Sequence, residues 1–139
     1  MDKNEKTTLT SSLILLLSIT CGVVVANMYY IQPIGTKVAT SLSVSTSAIG
    51  ILTMLTQLGY ALGLLFLVPL GDVVDRPKLI IRMAALSAIS LLAAFFAPSF
   101  TLFACASFLI GLLSIVPQII IPYGAVLAGP KARGKVMGA

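Results

Sequence analysis

Thirteen charged side chains are spread over this chain of 139 residues, and three long runs contain none of them: Thr7 to Thr36, Val38 to Gly71 and Met83 to Pro130. The runs are 30, 34 and 48 residues long. A helix needs about 20 predominantly apolar residues to cross a bilayer. The first two runs therefore hold one crossing each, and the third holds two joined by a tight turn. The expected fold is all-α and polytopic, with four transmembrane helices.

Composition removes the competing classes. With 58% apolar residues, 9% charged residues and a mean hydropathy of +1.09, the chain lacks the polar surface that a water-soluble globule needs. A cytosolic enzyme and a disordered chain are both excluded. Histidine is absent, and with it the commonest metal ligand and the usual general base near neutral pH. No catalytic residue, metal or cofactor is expected. Cys21 and Cys105 lie in apolar runs and read as small hydrophobic side chains, not as a disulfide framework. The net charge of +5 comes without a basic stripe carrying interleaved aromatics. The lipid bilayer is thus the expected partner and nucleic acid is not.

The four spans are expected near residues 12–34, 47–70, 78–96 and 100–127. The apolar stretch that starts at Leu13 outlasts the short core of a signal peptide, so cleavage is not expected. Lys37 to Thr46 reads as a loop rich in Ser and Thr, Gly71 to Pro77 as a second loop, and Ala97-Pro98-Ser99 as a close hairpin. After Gly129-Pro130 the basic residues Lys131, Arg133 and Lys135 form a third loop. Residues 136–139 look like the start of a fifth helix.

Basic residues near spans collect on the cytoplasmic side. Lys3 and Lys6, then Arg76, Lys78 and Arg82, then Lys131, Arg133 and Lys135 fall on one side, and Lys37 alone on the other. Both termini are expected in the cytoplasm.

No Asp or Glu lies in any span, so the chain carries no membrane-embedded acid of the kind that relays protons. Its intramembrane polar residues are small and neutral. In span four, Ser107, Gly111, Ser114, Gln118 and Pro122 recur at helical spacing on one face. In span two, Thr53, Gln57 and Tyr60 share a face, and Gly59 and Gly63 form a small-xxx-small pair suited to close helix packing. Span one carries Thr20 and Asn27, followed by Tyr30 and Gln32. Either such polar faces bond neighbouring helices or they line a water-filled path. Asn27, Tyr30, Gln32, Gln57, Ser107, Gly111, Ser114 and Gln118 are the candidates for the path. Pro117 and Pro122 should bend span four by removing two backbone donors.

The most specific stretch is Gly71-Asp72-Val73-Val74-Asp75-Arg76-Pro77-Lys78. Gly71 permits a sharp exit from span two, Pro77 suits the first turn of a helix, and Asp75 is placed to cap span three. A Gly followed four residues later by Asp-Arg, between the second and third spans, resembles motif A of the major facilitator superfamily, which reads approximately G-x-x-x-D-R-x-G-R-R. Gly71, Asp75 and Arg76 match. Lys78 occupies the second-glycine slot, and Leu79 and Ile80 replace the following basic pair. Asn27-Met28-Tyr29-Tyr30-Ile31-Gln32-Pro33 resembles the end of helix one in bacterial facilitators, and Gln57 to Gly63 resembles part of their second helix. Pro130, Arg133, Gly134 and Gly138 resemble the loop entering helix five.

The resemblance implies a secondary transporter of the bacterial inner membrane, moving small solutes or drugs by efflux, built from two six-helix halves that rock about a central site. Helices one and four would line the cavity, and motif A would act as a cytoplasmic latch. Proton-coupled drug antiporters of this superfamily place an arginine in helix four, four residues before a glycine; relative to Gly111, Ser107 stands there. Four helices against the six of a half imply a truncated N-terminal domain, inactive as given. Its partners would be an unidentified small-molecule substrate in a full-length form and the missing C-terminal portion. The alternatives are a self-contained four-helix membrane protein, either a small multidrug-exporter-like dimer or a scaffold subunit. Such an exporter needs a membrane-embedded glutamate in helix one, and none is present.

Overall fold

The computed structural model describes residues 10–137, and all its regular structure is helical. Helix α1 (Ser11–Tyr29) is followed by α2 (Ile31–Ser41), α3 (Ser47–Val73), α4 (Arg76–Phe95), α5 (Phe100–Leu113) and α6 (Val116–Met137). Four stretches among the described residues are long and apolar enough to cross a membrane: Ser11–Tyr29, Ser47–Val73, Arg76–Phe95 and Phe100–Ala128. The last of them is made jointly by α5 and α6.

Prolines decide where these helices break. Pro33 cannot donate to the carbonyl four residues back, and the chain interrupts its helical pattern at Tyr30 while keeping helical dihedrals there (φ −59°, ψ −29°). Span one and α2 therefore run on in nearly the same course. The expected loop from Lys37 to Thr46 is helical through Ser41, and Lys37 sits on α2, not in a coil. Span four is interrupted about one turn ahead of Pro117. The interruption falls at Ser114 and Ile115, where the Pro117 ring would collide with the carbonyl of Leu113. Pro69 and Pro122 are carried inside α3 and α6 without a break.

Span four is the centre of the bundle. It is the most buried of the four, whereas α1 buries only Val24 and Met28. One apolar cluster joins Val24 of α1, Leu79, Ile80 and Met83 of α4, and Leu113, Ile115, Val116, Ile119 and Ile120 of span four. A second, at the other end, joins Ile31, Leu52, Ala94, Phe103, Ala106 and Ile110. The outer surface is inverted relative to a soluble protein, with Leu15, Leu16, Val23, Leu65, Phe66 and Phe95 exposed. Such a surface is stable against lipid tails and not against water.

The tightest contact is between α3 and α5. A methyl group added at Gly59 would strike the carbonyl oxygen of Phe108 and come within 3.0 Å of Leu112 N. At Gly63 it would strike the Leu112 oxygen and lie 2.7 Å from Ile115 Cγ2. At Gly111 it would strike the Thr56 oxygen and lie 2.8 Å from the Thr56 carbonyl carbon. Three glycines on two helices thus let the backbones touch. At the far end, α6 passes through Gly129-Pro130, where the sequence suggested a loop, and continues to Met137. Gly138, Ala139 and the basic residues Lys3 and Lys6 lie outside the described residues.

Candidate functional site

The turn between α3 and α4 is short, with Val74 and Asp75 as its only non-helical residues. Gly71 is still inside α3, so it makes no sharp exit; the chain leaves the helix at Val74. Gly71 is buried there, and a methyl group added to it would lie 3.6 Å from Leu79 Cδ2 and 3.7 Å from Ile119 Cγ2. Arg76 folds back over the end of α3. Its Nε donates to the Gly71 carbonyl at 3.1 Å, and its terminal nitrogen pairs with Asp72 Oδ1 at 2.8 Å. Asp75 occupies the N-cap position of α4, but its carboxylate makes no capping hydrogen bond and instead pairs with Lys78 Nζ at 3.2 Å. Pro77 lies in the first turn, where its missing donor costs nothing.

Several hydroxyls within the spans are satisfied on their own helix. Thr20, Thr53, Thr56, Ser90 and Ser114 each donate to the carbonyl four residues back, Ser114 Oγ to Ile110 O at 2.6 Å. This back-bonding lets a polar side chain sit in a bundle without a partner helix. Three side chains escape it. Tyr30 Oη approaches Ser107 Oγ between span one and span four, and neither oxygen has a partner in hydrogen-bond geometry. Ser87 Oγ on α4 is likewise buried and unpartnered.

Of the residues expected on a pathway, Tyr30 and Ser107 are brought together. Ser114 is buried at the interruption itself, capping the end of α5, and Asn27 is half-buried on α1. Gln32 and Gln57 are exposed on α2 and α3 and join neither group. Gly111 is occupied by its contact with Thr56 and does not face an opening. Gln118 is exposed, and its Nε2 donates to Tyr60 Oη at 3.0 Å.

The two regions meet. A cleft of about 210 Å³ is lined by Val68, Gly71, Asp72, Arg76, Gln118, Ile119 and Pro122. It places the amide of the span-four stripe beside the ion pair of the turn. The sequence reading missed Asp72 as the partner of Arg76 and Tyr60 as the partner of Gln118. An i, i+4 spacing on one helix end signals the first pair. Nothing in a single sequence signals the second. Among the described residues no group of three or more His, Cys, Asp or Glu could hold a metal ion.

Residues 13–139 match the profile of the Major Facilitator Superfamily. The chain is 45% identical over 130 residues to the uncharacterized transporter YgaY of Escherichia coli, in strain K12 and in strain O157:H7 alike. Those alignments cover 94% of this chain and 33% of the relative, so the chain spans about a third of the length of the curated relatives it matches. It is also 40% identical over 75 residues to a protein of Streptomyces coelicolor named as a probable transporter, SCO4007, covering 54% of this chain and 17% of that protein. No solved structure matches the chain significantly.

Proposed function

The chain belongs to the Major Facilitator Superfamily, and on that premise we propose that it forms the first four spans of a secondary transporter for small solutes or drugs, with the Gly71–Lys78 turn in the cytoplasm. Family membership makes it part of a carrier and not an enzyme. A small multidrug exporter would need a membrane-embedded glutamate in its first span, and this chain carries none there.

The observation that carries the proposal is the cleft shared by Gln118, Asp72 and Arg76. It sets the amide of span four beside the charged pair at the end of the bundle, a polar mouth of the kind that a path for a polar solute needs. The buried Tyr30 and Ser107 hydroxyls, side by side between spans one and four, give second support, as a polar spot that water or a bound solute could bridge. Motif residues Gly71, Asp75, Arg76 and Lys78 would form the latch of the resemblance, with Asp75 and Lys78 exposed and so free to meet a partner surface. Orientation rests on the eight basic residues that share the side of the turn, against Lys37 alone on the other.

The test uses this chain joined to the remaining two-thirds of the Escherichia coli relative, in a background lacking Cys21 and Cys105. Asn27→Cys and Gln118→Cys should react with a small hydrophilic thiol reagent at least tenfold faster than Leu16→Cys and Leu65→Cys, which face lipid. Equal rates at all four positions would show that the polar face lines no aqueous path.

A further inference from the structure

We propose that the cleft at the end of the bundle away from the Gly71–Lys78 turn binds one anionic phospholipid, its headgroup on Lys37 and an acyl chain between α2, α4 and α5. This cleft measures about 510 Å³, and its walls include Tyr30, Ile34, Val38, Leu91, Phe95 and Phe103. The volume falls in the roughly 300–1,000 Å³ range of small-molecule sites. A second opening of about 420 Å³ adjoins it and is lined by Thr36, Lys37, Thr40 and Ser41. Lys37 and Ser41 belong to both.

An almost wholly apolar chamber therefore meets a hydroxyl-lined one at a single cation. That is the shape of an amphiphile with a negative head. Lys37 is the only charged residue between Lys6 and Asp72. The described ion pairs are both in the turn at the opposite end, and neither involves Lys37. The hydroxyls of Thr36 and Ser41 can donate to a phosphate. Thr40 Oγ1 already donates to the Thr36 carbonyl at 3.0 Å and keeps its lone pairs for a headgroup hydroxyl. A lysine at the lip of an apolar groove lays its stem along the wall and lifts its ammonium to the headgroup level, where it can make a charge-assisted hydrogen bond to a phosphate oxygen. A protein segment filling the same groove would have to bring its own carboxylate to Lys37.

The chain contains no tryptophan, so a Leu91→Trp variant carries a single fluorescent reporter in the cleft. The full chain is reconstituted in phosphatidylcholine vesicles doped with equal mole fractions of brominated phosphatidylglycerol or brominated phosphatidylcholine. Phosphatidylglycerol should quench with about fivefold higher apparent affinity, the ratio for about 1 kcal/mol from one exposed ion pair. Lys37→Gln should abolish that preference and Lys37→Arg should keep it. An Ile19→Trp reporter on the exposed face of α1 should show none. If Leu91→Trp disturbs packing, Phe103→Trp reads the same cleft. Equal quenching by the two lipids, or a preference that survives Lys37→Gln, overturns the proposal and leaves the groove to a protein segment.

Discussion

Gln118 Nε2 donates to Tyr60 Oη at 3.0 Å, tying α6 to α3 across 58 residues of sequence. Hydrogen bonds between helices in a membrane average about 0.6 kcal/mol. In a double-mutant cycle of Tyr60→Phe and Gln118→Leu, the coupling energy should be about that size and favourable, read as thermal stability in detergent. A coupling of zero would mean that both groups prefer other partners.

The glycine contact between α3 and α5 makes a sharper stability prediction. Gly59→Ala and Gly111→Ala each drive a methyl group into backbone, which cannot move aside as a side chain can. Each should cost about 1–3 kcal/mol, the usual range for overpacking. Gly71→Ala meets only ordinary van der Waals contact and Gly22→Ala meets open space. Neither should lose stability by overpacking. Protease susceptibility in detergent, compared across the four variants, checks the ranking.

The two aspartates of the turn should separate by assay. Asp72→Asn frees Arg76 from a surface ion pair and should lower stability by no more than about 1 kcal/mol. In the chain joined to the rest of its Escherichia coli relative, Asp75→Asn should lower transport more than Asp72→Asn, because only Asp75 stands at the motif position. Equal tolerance of both changes would reduce the turn to a topology signal.

Single cysteines at Ser43 and Asp75, without Cys21 and Cys105, should label from opposite sides of the membrane with an impermeant thiol reagent. Asp75→Cys is expected to be silent from outside intact cells. Labelling there would reverse the orientation of the whole bundle.

The chain by itself should insert into a bilayer and carry no flux. Insertion needs only apolar length and a basic bias, whereas alternating access needs two repeats moving against each other. Purified chain in liposomes under a proton gradient is therefore expected to show no saturable uptake of any of a panel of cationic dyes. Gradient-driven saturable flux would make it a complete small transporter.

The four spans were legible because charge is costly in lipid, so the charge-free runs delimit them without reference to packing. The Gly59–Gly63 pair was readable for a related reason, since small residues at a spacing of four mark where helices touch. Gly111 was misplaced because periodicity puts Ser107, Gly111 and Ser114 on one face and cannot say that Thr56 stands opposite the middle one. Lys37 looked like a loop residue because its neighbours are Ser, Thr and Gly, weak helix formers that the continuing helix beyond Pro33 overrides. Pro117 revealed that span four is interrupted, but the clash it makes is with the preceding turn, so the interruption lies at Ser114–Ile115. The Tyr60–Gln118 bond depends on how two spans are docked, which no local pattern encodes.

The interruption at Ser114–Ile115 would also serve as the fulcrum of any tilt of α6. Above it, α5 is clasped to α3 by backbone contact, with Gly63 seated against Leu112 and Ile115 beside the interruption itself. Below it, the 22 residues of α6 form an arm about 33 Å long. A tilt of about 5° at that point would sweep the far end of the arm by roughly 3 Å, yet displace Gln118, one turn from the pivot, by only about 0.4 Å. The Tyr60–Gln118 bond would therefore hold through such a tilt.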